Sequence, residues 1–270
     1  MYEIGIIGVG SIGSAILKSI LKLYRKDQLT FTNRSVRKIE KLQAETGVQP
    51  SASNQELAEN SKIIVLAVKP QVYDKVLGEI RGHVTDDKII IVMAAGTTIQ
   101  SVTDRLDGHK RVVRCMPNTP ALIGEGMTGV SYDRNLFTET EKQTISNIFE
   151  SFGMMEFLPE DLMNAVTCIS GSSPAYIYMF IEALADAAVK YGMPRDIAYR
   201  MAAKSVEGSA KMVLLSGKHP GELKDNVCSP GGTTIAAVAV LEEYGMRNAV
   251  IKASDACYEK CLELAHKKEG

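Results

Sequence analysis

The first thirteen residues, MYEIGIIGVGSIG, constrain the fold more than any other stretch of the chain. Ile4, Ile6 and Ile7 form a short apolar run of β-branched residues, which is typical of a buried parallel strand. The run continues into a G-x-G-x-x-G motif at residues 8–13, and apolar residues then recur at helical spacing. A strand, a glycine-rich turn and an amphipathic helix in this order predict the first unit of a dinucleotide-binding fold.

Each glycine of this motif, called the glycine loop below, is expected to serve a separate physical purpose. Gly8 allows a tight turn, Gly10 lets a pyrophosphate approach the backbone, and Gly13 lets the helix pack closely on the strand. The amides and the positive dipole end of the helix would then face the phosphates. An ordinary glycine-rich turn is the alternative, because the motif alone is a weak signal.

The composition argues against several classes of partner. The chain has 270 residues and a formal net charge of -1 at pH 7, so neither nucleic acid nor an anionic membrane is an expected partner. No apolar run approaches the ~20 residues that a membrane-spanning helix needs, and the N-terminal strand does not resemble an export signal. We therefore expect a cytoplasmic protein.

The five cysteines are odd in number and scattered: Cys115, Cys168, Cys228, Cys257 and Cys261. The last two share one face of a predicted helix, but no pair of histidines completes a zinc-binding set, so no metal site is expected. Reduced thiols in a cytoplasmic protein are the expectation.

The second strand, predicted over Leu29–Thr32, ends at the tripeptide Asn33-Arg34-Ser35. NAD-binding proteins carry an Asp or Glu at about this distance, roughly twenty residues after the glycine motif, where it binds the ribose 2′-hydroxyl. Here an arginine replaces the carboxylate, and a 2′-phosphate attracts a cation and polar donors. The tripeptide predicts NADP(H) preference, with Arg34 stacking on adenine or pairing with the phosphate. Ser35 as a simple helix cap is the alternative.

Strands and helices alternate up to about residue 160. Further strands are predicted at residues 63–68, 89–93, 112–115, 130–132 and 155–158. Lys69, the small residues 94–96 and Asn118 follow three of these strands, and such folds bind ligands at the carboxyl ends of their strands. A solvated lysine and a turn asparagine are the alternatives. The alternation predicts a doubly wound α/β domain over residues 1–160.

Strands disappear in the second half of the chain. Long helices are predicted over residues 175–191 and 195–215, from about residue 233, and over residues 247–267. Several carry apolar residues on more than one face, so they must be buried. We expect an all-helical domain over residues 161–270 that packs against a second subunit in a dimer or a larger symmetric assembly.

A loop with the sequence SPGGTT at residues 229–234, called the SPGGTT loop below, runs into the third of these helices. Its hydroxyls, its backbone amides and the helix N-terminus together predict an anion site for a small carboxylate. A glycine hinge followed by an N-capping threonine is the alternative.

Five motifs carry a family resemblance: GVGSIG, AVKP at residues 67–70, MPNTP at 116–120, SGSSPAY at 170–176 and DNVCSPGGTTIAAV at 225–238. In this order the chain closely resembles the Δ1-pyrroline-5-carboxylate reductase family over essentially its whole length. The resemblance implies a Rossmann-like domain followed by an all-helical dimerisation domain. It also implies reduction of a cyclic imine carboxylate, 1-pyrroline-5-carboxylate, to L-proline by NADPH, with NADH as a weaker donor. Homodimers or higher homo-oligomers such as decamers are implied too, with active sites to which the partner subunit contributes.

The resemblance also implies which residues form the sites. The cofactor positions are Gly8, Gly10, Ser11, Ile12, Gly13, Asn33, Arg34, Ser35, Asn54, Ala67, Val68, Lys69, Pro70, Ala95, Gly96 and Asn118. The substrate carboxylate positions are Ser229, Gly231, Gly232, Thr233 and Thr234. Thr234 matches the threonine proposed to donate a proton to the ring nitrogen. The chain departs from the family pattern at Ser173, usually glycine, and at Thr233, commonly alanine.

Two other functions are compatible with parts of this pattern. A β-hydroxyacid dehydrogenase would carry a lysine–asparagine pair on the interdomain helix, but Pro194 stands four residues after Lys190. A non-catalytic NADP-sensing protein would not be expected to keep both the glycine loop and the SPGGTT loop.

Overall fold

The computed structural model describes residues 1–93 and 96–266, and its centre is a seven-stranded sheet. The strands are β1 Tyr2–Ile7, β2 Leu29–Thr32, β3 Ser61–Leu66, β4 Ile89–Val92, β5 Val112–Met116, β6 Gly126–Ser131 and β7 Gly153–Phe157. The helices that accompany the sheet are α1 Ser11–Ile20, α2 Val36–Thr46, α3 Asn54–Asn60, α4 Tyr73–Ile80, α5 Ile99–Arg105, α6 Glu139–Glu150 and α7 Met163–Val166. The remaining helices are α8 Ser173–Lys190, α9 Arg195–Ser216, α10 Pro220–Val227, α11 Thr233–Glu243 and α12 Met246–His266.

The order of the strands confirms the predicted doubly wound sheet. It runs β2-β1-β3-β4-β5-β6-β7, and all neighbours are parallel except β5 and β6. The chain moves from β1 outward to β2 and then crosses back, so that β3 lies on the other side of β1. The carboxyl ends of β1 and β3 therefore flank the point where the winding direction reverses, which is where such sheets bind ligands.

Apolar side chains cover both faces of the sheet. Ile4 and Ile6 of β1 belong to a cluster that includes α1 and α6, and Ile7 belongs to a second cluster that includes α3, α4 and α5. Successive side chains of a strand point to opposite faces. Strands that are buried on both faces need a continuous apolar sequence, which is the pattern that identified them.

Strand β3 begins and ends two residues earlier than the spacing predicts. The amide of Ala67 still donates to the carbonyl of Ile7 at 2.9 Å, but β1 ends there because Gly8 turns away. Val68 thus has no strand residue beside it on that side, and Pro70 opens a short 3₁₀ turn that leads into α4. The neighbouring glycine turn, rather than the apolar run itself, sets the end of this strand.

The described chain divides into two units, which we describe separately. Unit 1 is Met1–Ser172 together with the chain from Cys257 onward, and unit 2 is Ser173–Ala256. The domain boundary predicted at residue 160 stays a prediction. Helix α10 was missed by the sequence analysis, although Pro220 at its first turn and Glu222 nearby are typical start signals.

Unit 2 exposes much of its apolar surface. Helices α8 and α9 pack against each other, yet the buried apolar side chains of residues 173–256 are three alanines, Ala185, Ala198 and Ala202. Exposed side chains include Tyr178, Met179, Leu214, Leu215, Tyr244 and Ile251. A large apolar surface of this kind marks a protein–protein interface. None of the helices in the described part of the chain is long and apolar enough to cross a membrane.

The hydroxyl of Tyr73 connects the carboxyl ends of β3 and β4. It donates to the carbonyl of Leu66 at 2.9 Å and accepts from the amide of Met93 at 2.9 Å. The ring is 2% exposed, and burial raises the pKa of this hydroxyl, so it stays protonated. Two backbone groups at the ligand-binding edge therefore depend on one buried hydroxyl.

We expect Tyr73→Phe to lower the free energy of unfolding by about 1–3 kcal/mol, because a buried carbonyl and a buried amide lose their partner. The urea midpoint measures the effect. Tyr24→Phe is the matched control: Tyr24 is partly buried, and its hydroxyl has no hydrogen-bond partner among the residues described. Equal midpoints for the two variants would contradict the assignment.

Candidate functional site

The glycine loop connects β1 to α1 through three glycines with different surroundings. Gly8 has φ 95°, and a Cβ there would lie 2.6 Å from Cγ1 of Val68 and 2.8 Å from the carbonyl of Ala67. A Cβ on Gly13 would overlap the carbonyl oxygen of Gly8 and lie 3.1 Å from Cβ of Ala67. At Gly10 no atom lies within 4 Å of such a Cβ. Two glycines are therefore needed for packing, and the third leaves open space beside the backbone.

Helix α1 presents free amides at this open space. Gly10 is its N-cap residue and no side chain caps the helix, whereas Ser53, Thr98 and Thr138 cap α3, α5 and α6. The first turn also lacks an acidic residue. Uncapped amides and the positive end of the helix dipole favour a bound anion.

Asn33 holds the glycine loop from the side. Its Oδ1 accepts from the amide of Val9 at 3.3 Å, and the hydroxyl of Ser14 donates to the carbonyl of Val9 at 3.1 Å. Asn33, predicted as a ribose contact, thus also connects the end of β2 to the loop after β1.

The other residues after β2 are open to solvent. Arg34 and Ser35 are exposed, and Ser35 occupies the N-cap position of α2 without a side-chain capping bond. Asn54 accepts from the hydroxyl of Thr32 at 2.6 Å and donates to Glu79 at 2.6 Å. Hydrogen bonds to Thr32 and Glu79 therefore orient the side-chain amide of Asn54 next to the end of β2.

The residues after β3 and β4 border the glycine loop in part. Ala67 and Val68 contact Gly8, as described above, and Lys69 is exposed. Gly96 has φ 65°, which suits a glycine in a turn. Ala95, a predicted cofactor residue, lies outside the described residues.

Asn118 braces the loop after β5. Its Nδ2 donates to the carbonyl of Ser170 at 3.1 Å, and its Oδ1 accepts from the amide of Met127 at 2.9 Å. These bonds connect β5, β6 and the turn before α8 at the carboxyl edge of β5. The predicted cofactor contact of Asn118 stays a prediction.

A charged group that the sequence analysis missed lies near the same edge. Glu160 accepts from the amide of Ile99, the first residue of α5, at 2.7 Å and from Arg114 at 3.1 Å. The Arg114 side chain is 6% exposed and also reaches Asn164 at 3.5 Å. An arginine inside an apolar strand was the available signal, since a buried cation requires a partner.

The SPGGTT loop lies in unit 2 and ends at the N-terminus of α11. Gly231 has φ 69°, the amide of Gly232 donates to the carbonyl of Ser229 at 3.0 Å, and a Cβ on Gly232 would overlap the Ser229 hydroxyl. Gly232, not a threonine, is the N-cap residue, and no side chain caps the helix. The alternative of a threonine cap is therefore wrong, and the first amides of α11 are free of side-chain caps.

The histidines make no catalytic pair in the part of the chain that the structure describes. His109 is 5% exposed and burial lowers its pKa, so it is neutral near pH 7. His219 caps α10 by accepting from the amide of Gly221 at 3.0 Å.

These features define a class: a doubly wound dinucleotide-binding fold with a second, helical unit. Two family models match the chain. Residues 3–96 match the model described as NADP oxidoreductase coenzyme F420-dependent, and residues 160–264 match pyrroline-5-carboxylate reductase dimerisation. The second match gives a physical reason for the exposed apolar helices, because the chain carries a homo-oligomerisation domain.

Full-length relatives lead to the same family. The pyrroline-5-carboxylate reductase of Escherichia coli is 46% identical over 97% of this chain and 98% of that protein. A crystal structure of the Plasmodium falciparum pyrroline carboxylate reductase with NADP bound has a TM-score of 0.87 at 33% identity, covering 98% of each chain. The Coxiella burnetii pyrroline-5-carboxylate reductase has a TM-score of 0.89 at 31% identity, again over 98% of each chain. This chain belongs to the pyrroline-5-carboxylate reductase family.

The glycine loop makes a direct prediction about stability. Gly13→Ala should destabilise unit 1 by about 1–3 kcal/mol, because its Cβ must displace the backbone at Gly8. Gly10→Ala should lower the free energy of unfolding by less than about 1 kcal/mol. Its Cβ meets no atom, and the only loss is that alanine is less favourable than glycine at the N-cap position of α1. The two urea midpoints measure the difference. Similar losses would show that the helix does not approach the strand as described.

Proposed function

We propose that this chain reduces 1-pyrroline-5-carboxylate to L-proline with NADPH, the last step of proline biosynthesis. The observation that carries the proposal is the match to the Escherichia coli reductase at 46% identity over 97% of the chain. The reaction requires two anion sites, one for the cofactor phosphates and one for the substrate carboxylate. The glycine loop before α1 in unit 1 and the SPGGTT loop before α11 in unit 2 supply them, because neither helix has a side-chain cap on its first amides.

The cofactor site is proposed on the glycine loop. The open space at Gly10 and the free amides of α1 suit a pyrophosphate, and a Cβ at Gly10 would point into that space. Arg34, which is exposed after β2, would bind the 2′-phosphate or stack on adenine. When bound, NADPH supplies the hydride. The remaining cofactor residues proposed are Ser11, Ile12, Ser35, Asn54, Ala67, Val68, Lys69, Pro70, Ala95, Gly96 and Asn118.

The substrate carboxylate is proposed to bind the SPGGTT loop. Ser229, Gly231, Gly232, Thr233 and Thr234 would surround it with amides and hydroxyls. Thr233 stands where relatives of this family commonly carry alanine, but its backbone amide is unaffected. A fixed carboxylate holds the imine carbon in one orientation for hydride transfer, and orientation is a major source of rate.

The chemistry makes modest demands on acid catalysis. A cyclic imine is more basic than a ketone, and its protonated form accepts hydride readily, so a strong general acid is not required. A threonine hydroxyl has no pKa near neutrality. We therefore assign Thr234 the role of a positioning hydrogen-bond donor or water relay at the ring nitrogen, with protonation of the substrate in solution as the alternative source of the proton.

One assay separates the three candidate functions. NADPH oxidation is measured with 1-pyrroline-5-carboxylate and, in parallel, with the oxidised forms of a panel of 3-hydroxyacids. The proposal requires turnover of the imine. Turnover of the panel alone would identify a hydroxyacid dehydrogenase, and binding of NADPH without any turnover would identify a sensing protein.

The assembly is proposed to be a homodimer or a higher homo-oligomer such as a decamer, located in the cytoplasm. The apolar side chains that unit 2 exposes need a second subunit to cover them. Sedimentation of the purified chain should give an assembly of at least two subunits. A stable, active monomer would overturn this part of the proposal.

Arg34→Asp tests the cofactor preference. It should lower the ratio of kcat/KM with NADPH to kcat/KM with NADH by at least about tenfold, because one charge-assisted contact to the 2′-phosphate is replaced by repulsion. Arg37→Asp is the control, since it makes the same charge change on an exposed residue of α2. An equal ratio in both variants would remove Arg34 from the site.

Thr234→Ala tests the proposed hydroxyl. We expect kcat/KM for the imine to fall at least about tenfold, which corresponds to one hydrogen bond in the transition state. Thr234→Ser keeps the hydroxyl and should retain most of the activity. Near-parental kinetics of the alanine variant would exclude the hydroxyl from the mechanism.

A further inference from the structure

Three cysteines from two distant parts of the sequence meet inside unit 1. The sulfur atoms of Cys168, Cys257 and Cys261 all lie within 4.8 Å of one another, and we call this group the thiol cluster. Cys257 and Cys261 come from successive turns of α12. Cys168 comes from a single π-helical turn, Thr167–Gly171, which precedes α8. Turns of this kind are frequent at functional sites.

The thiol cluster is largely buried, but one of its three cysteines is partly accessible to solvent. Cys168 and Cys261 are 3% and 4% exposed, whereas Cys257 is half-buried. The sulfur of Cys168 contacts the carbonyl of Asn164 at 3.2 Å, and the Ser172 hydroxyl lies 3.3 Å from the sulfur of Cys257. An ion can therefore enter from the side of Cys257, where a hydroxyl is available to support a negative sulfur.

We propose that the thiol cluster binds one soft, thiophilic divalent ion of the zinc and cadmium class through all three sulfur atoms. Thiolate ligands select such ions over hard ones. A tetrahedral zinc–thiolate site has Zn–S bonds of about 2.3 Å and hence sulfur–sulfur distances of roughly 3.8 Å. The sulfurs need to approach by about 1 Å at most to reach that geometry, and this requires only small side-chain rotations. A solvent molecule on the side of Cys257 completes the coordination.

Binding exchanges protons for the ion. None of the three cysteines forms a disulfide, so all three sulfur atoms are available as ligands. Three S–H bonds break, three metal–sulfur bonds form, and about three protons pass to the solvent for each ion. The complex carries one net negative charge, which the Ser172 hydroxyl and the solvent at Cys257 can stabilise.

The thiol cluster contains none of the residues proposed for the cofactor and substrate sites. Cys228, which directly precedes the SPGGTT loop, does not belong to it, and Cys115 lies in β5. An ion held by the cluster would fix the end of α12 to the turn before α8. The sequence analysis noticed the spacing of Cys257 and Cys261 but not the third thiol, because only the fold brings Cys168 to them.

The test is a titration of the reduced, full-length chain with Cd²⁺, in a Cys228→Ser background that removes the half-exposed competing thiol. Equilibrium dialysis should give one ion per chain, with ultraviolet thiolate-to-metal absorption that saturates at the same ratio. In weakly buffered solution, about three protons should be released per ion. Each of Cys168→Ser, Cys257→Ser and Cys261→Ser should weaken binding at least about tenfold.

Two controls keep the test decisive. Restoring Cys228 should leave the high-affinity binding unchanged, and circular dichroism checks that each variant is folded. Cys257→Ser changes a half-buried side chain, so it tests the site even if a deeply buried variant fails to fold. Unchanged Cd²⁺ affinity in Cys257→Ser would overturn the three-sulfur site. Because the readout is binding, its failure is distinguishable from failure of the proposed activity.

Discussion

The close contact between Gly13 and the carbonyl of Gly8 is the constraint on which the nucleotide-binding edge depends. Because Gly13 has no Cβ, α1 can approach β1 closely enough to direct its amides along the loop. A Cβ at this position would overlap the carbonyl oxygen of Gly8. The tight turn at Gly8 has a second effect, because it ends β1 and thereby ends β3 beside it. The contact at Gly13 thus sets how closely the helix approaches the strand, and the turn at Gly8 sets where the two strands end.

Polar side chains then fix the loops around that edge. Asn33 holds the glycine loop, the Tyr73 hydroxyl joins the ends of β3 and β4, and Glu160 connects α5 to Arg114. Each spans elements that are distant in sequence and satisfies backbone or charged groups at the sheet edge, which would otherwise cost free energy. These braces hold the loops in one conformation before a ligand binds. Binding then loses less conformational entropy, which suits a cofactor site.

The sequence predicted the sheet well because its strands are buried on both faces and their apolar runs are continuous, as at Ile4, Ile6 and Ile7. The glycine motif identified the first turn because steric limits act locally there. The hydrogen bonds of these braces were not predictable in this way, since those of Asn33, Tyr73 and Glu160 span 7 to 61 residues of chain. The thiol cluster is a similar case: an i, i+4 pair can be found by counting, but its third member cannot.

The path of the chain through the two units has a consequence for the order of folding. The chain leaves unit 1 after Ser172 and returns at Cys257, and these residues touch through their side chains at 3.3 Å. Unit 2 is therefore an insertion whose ends lie side by side. During synthesis, the sheet can form before the helices of unit 2 exist, but the surface around Cys168 stays uncovered until the last turns of α12 emerge. Completion of unit 1 must wait until α12 has been synthesised.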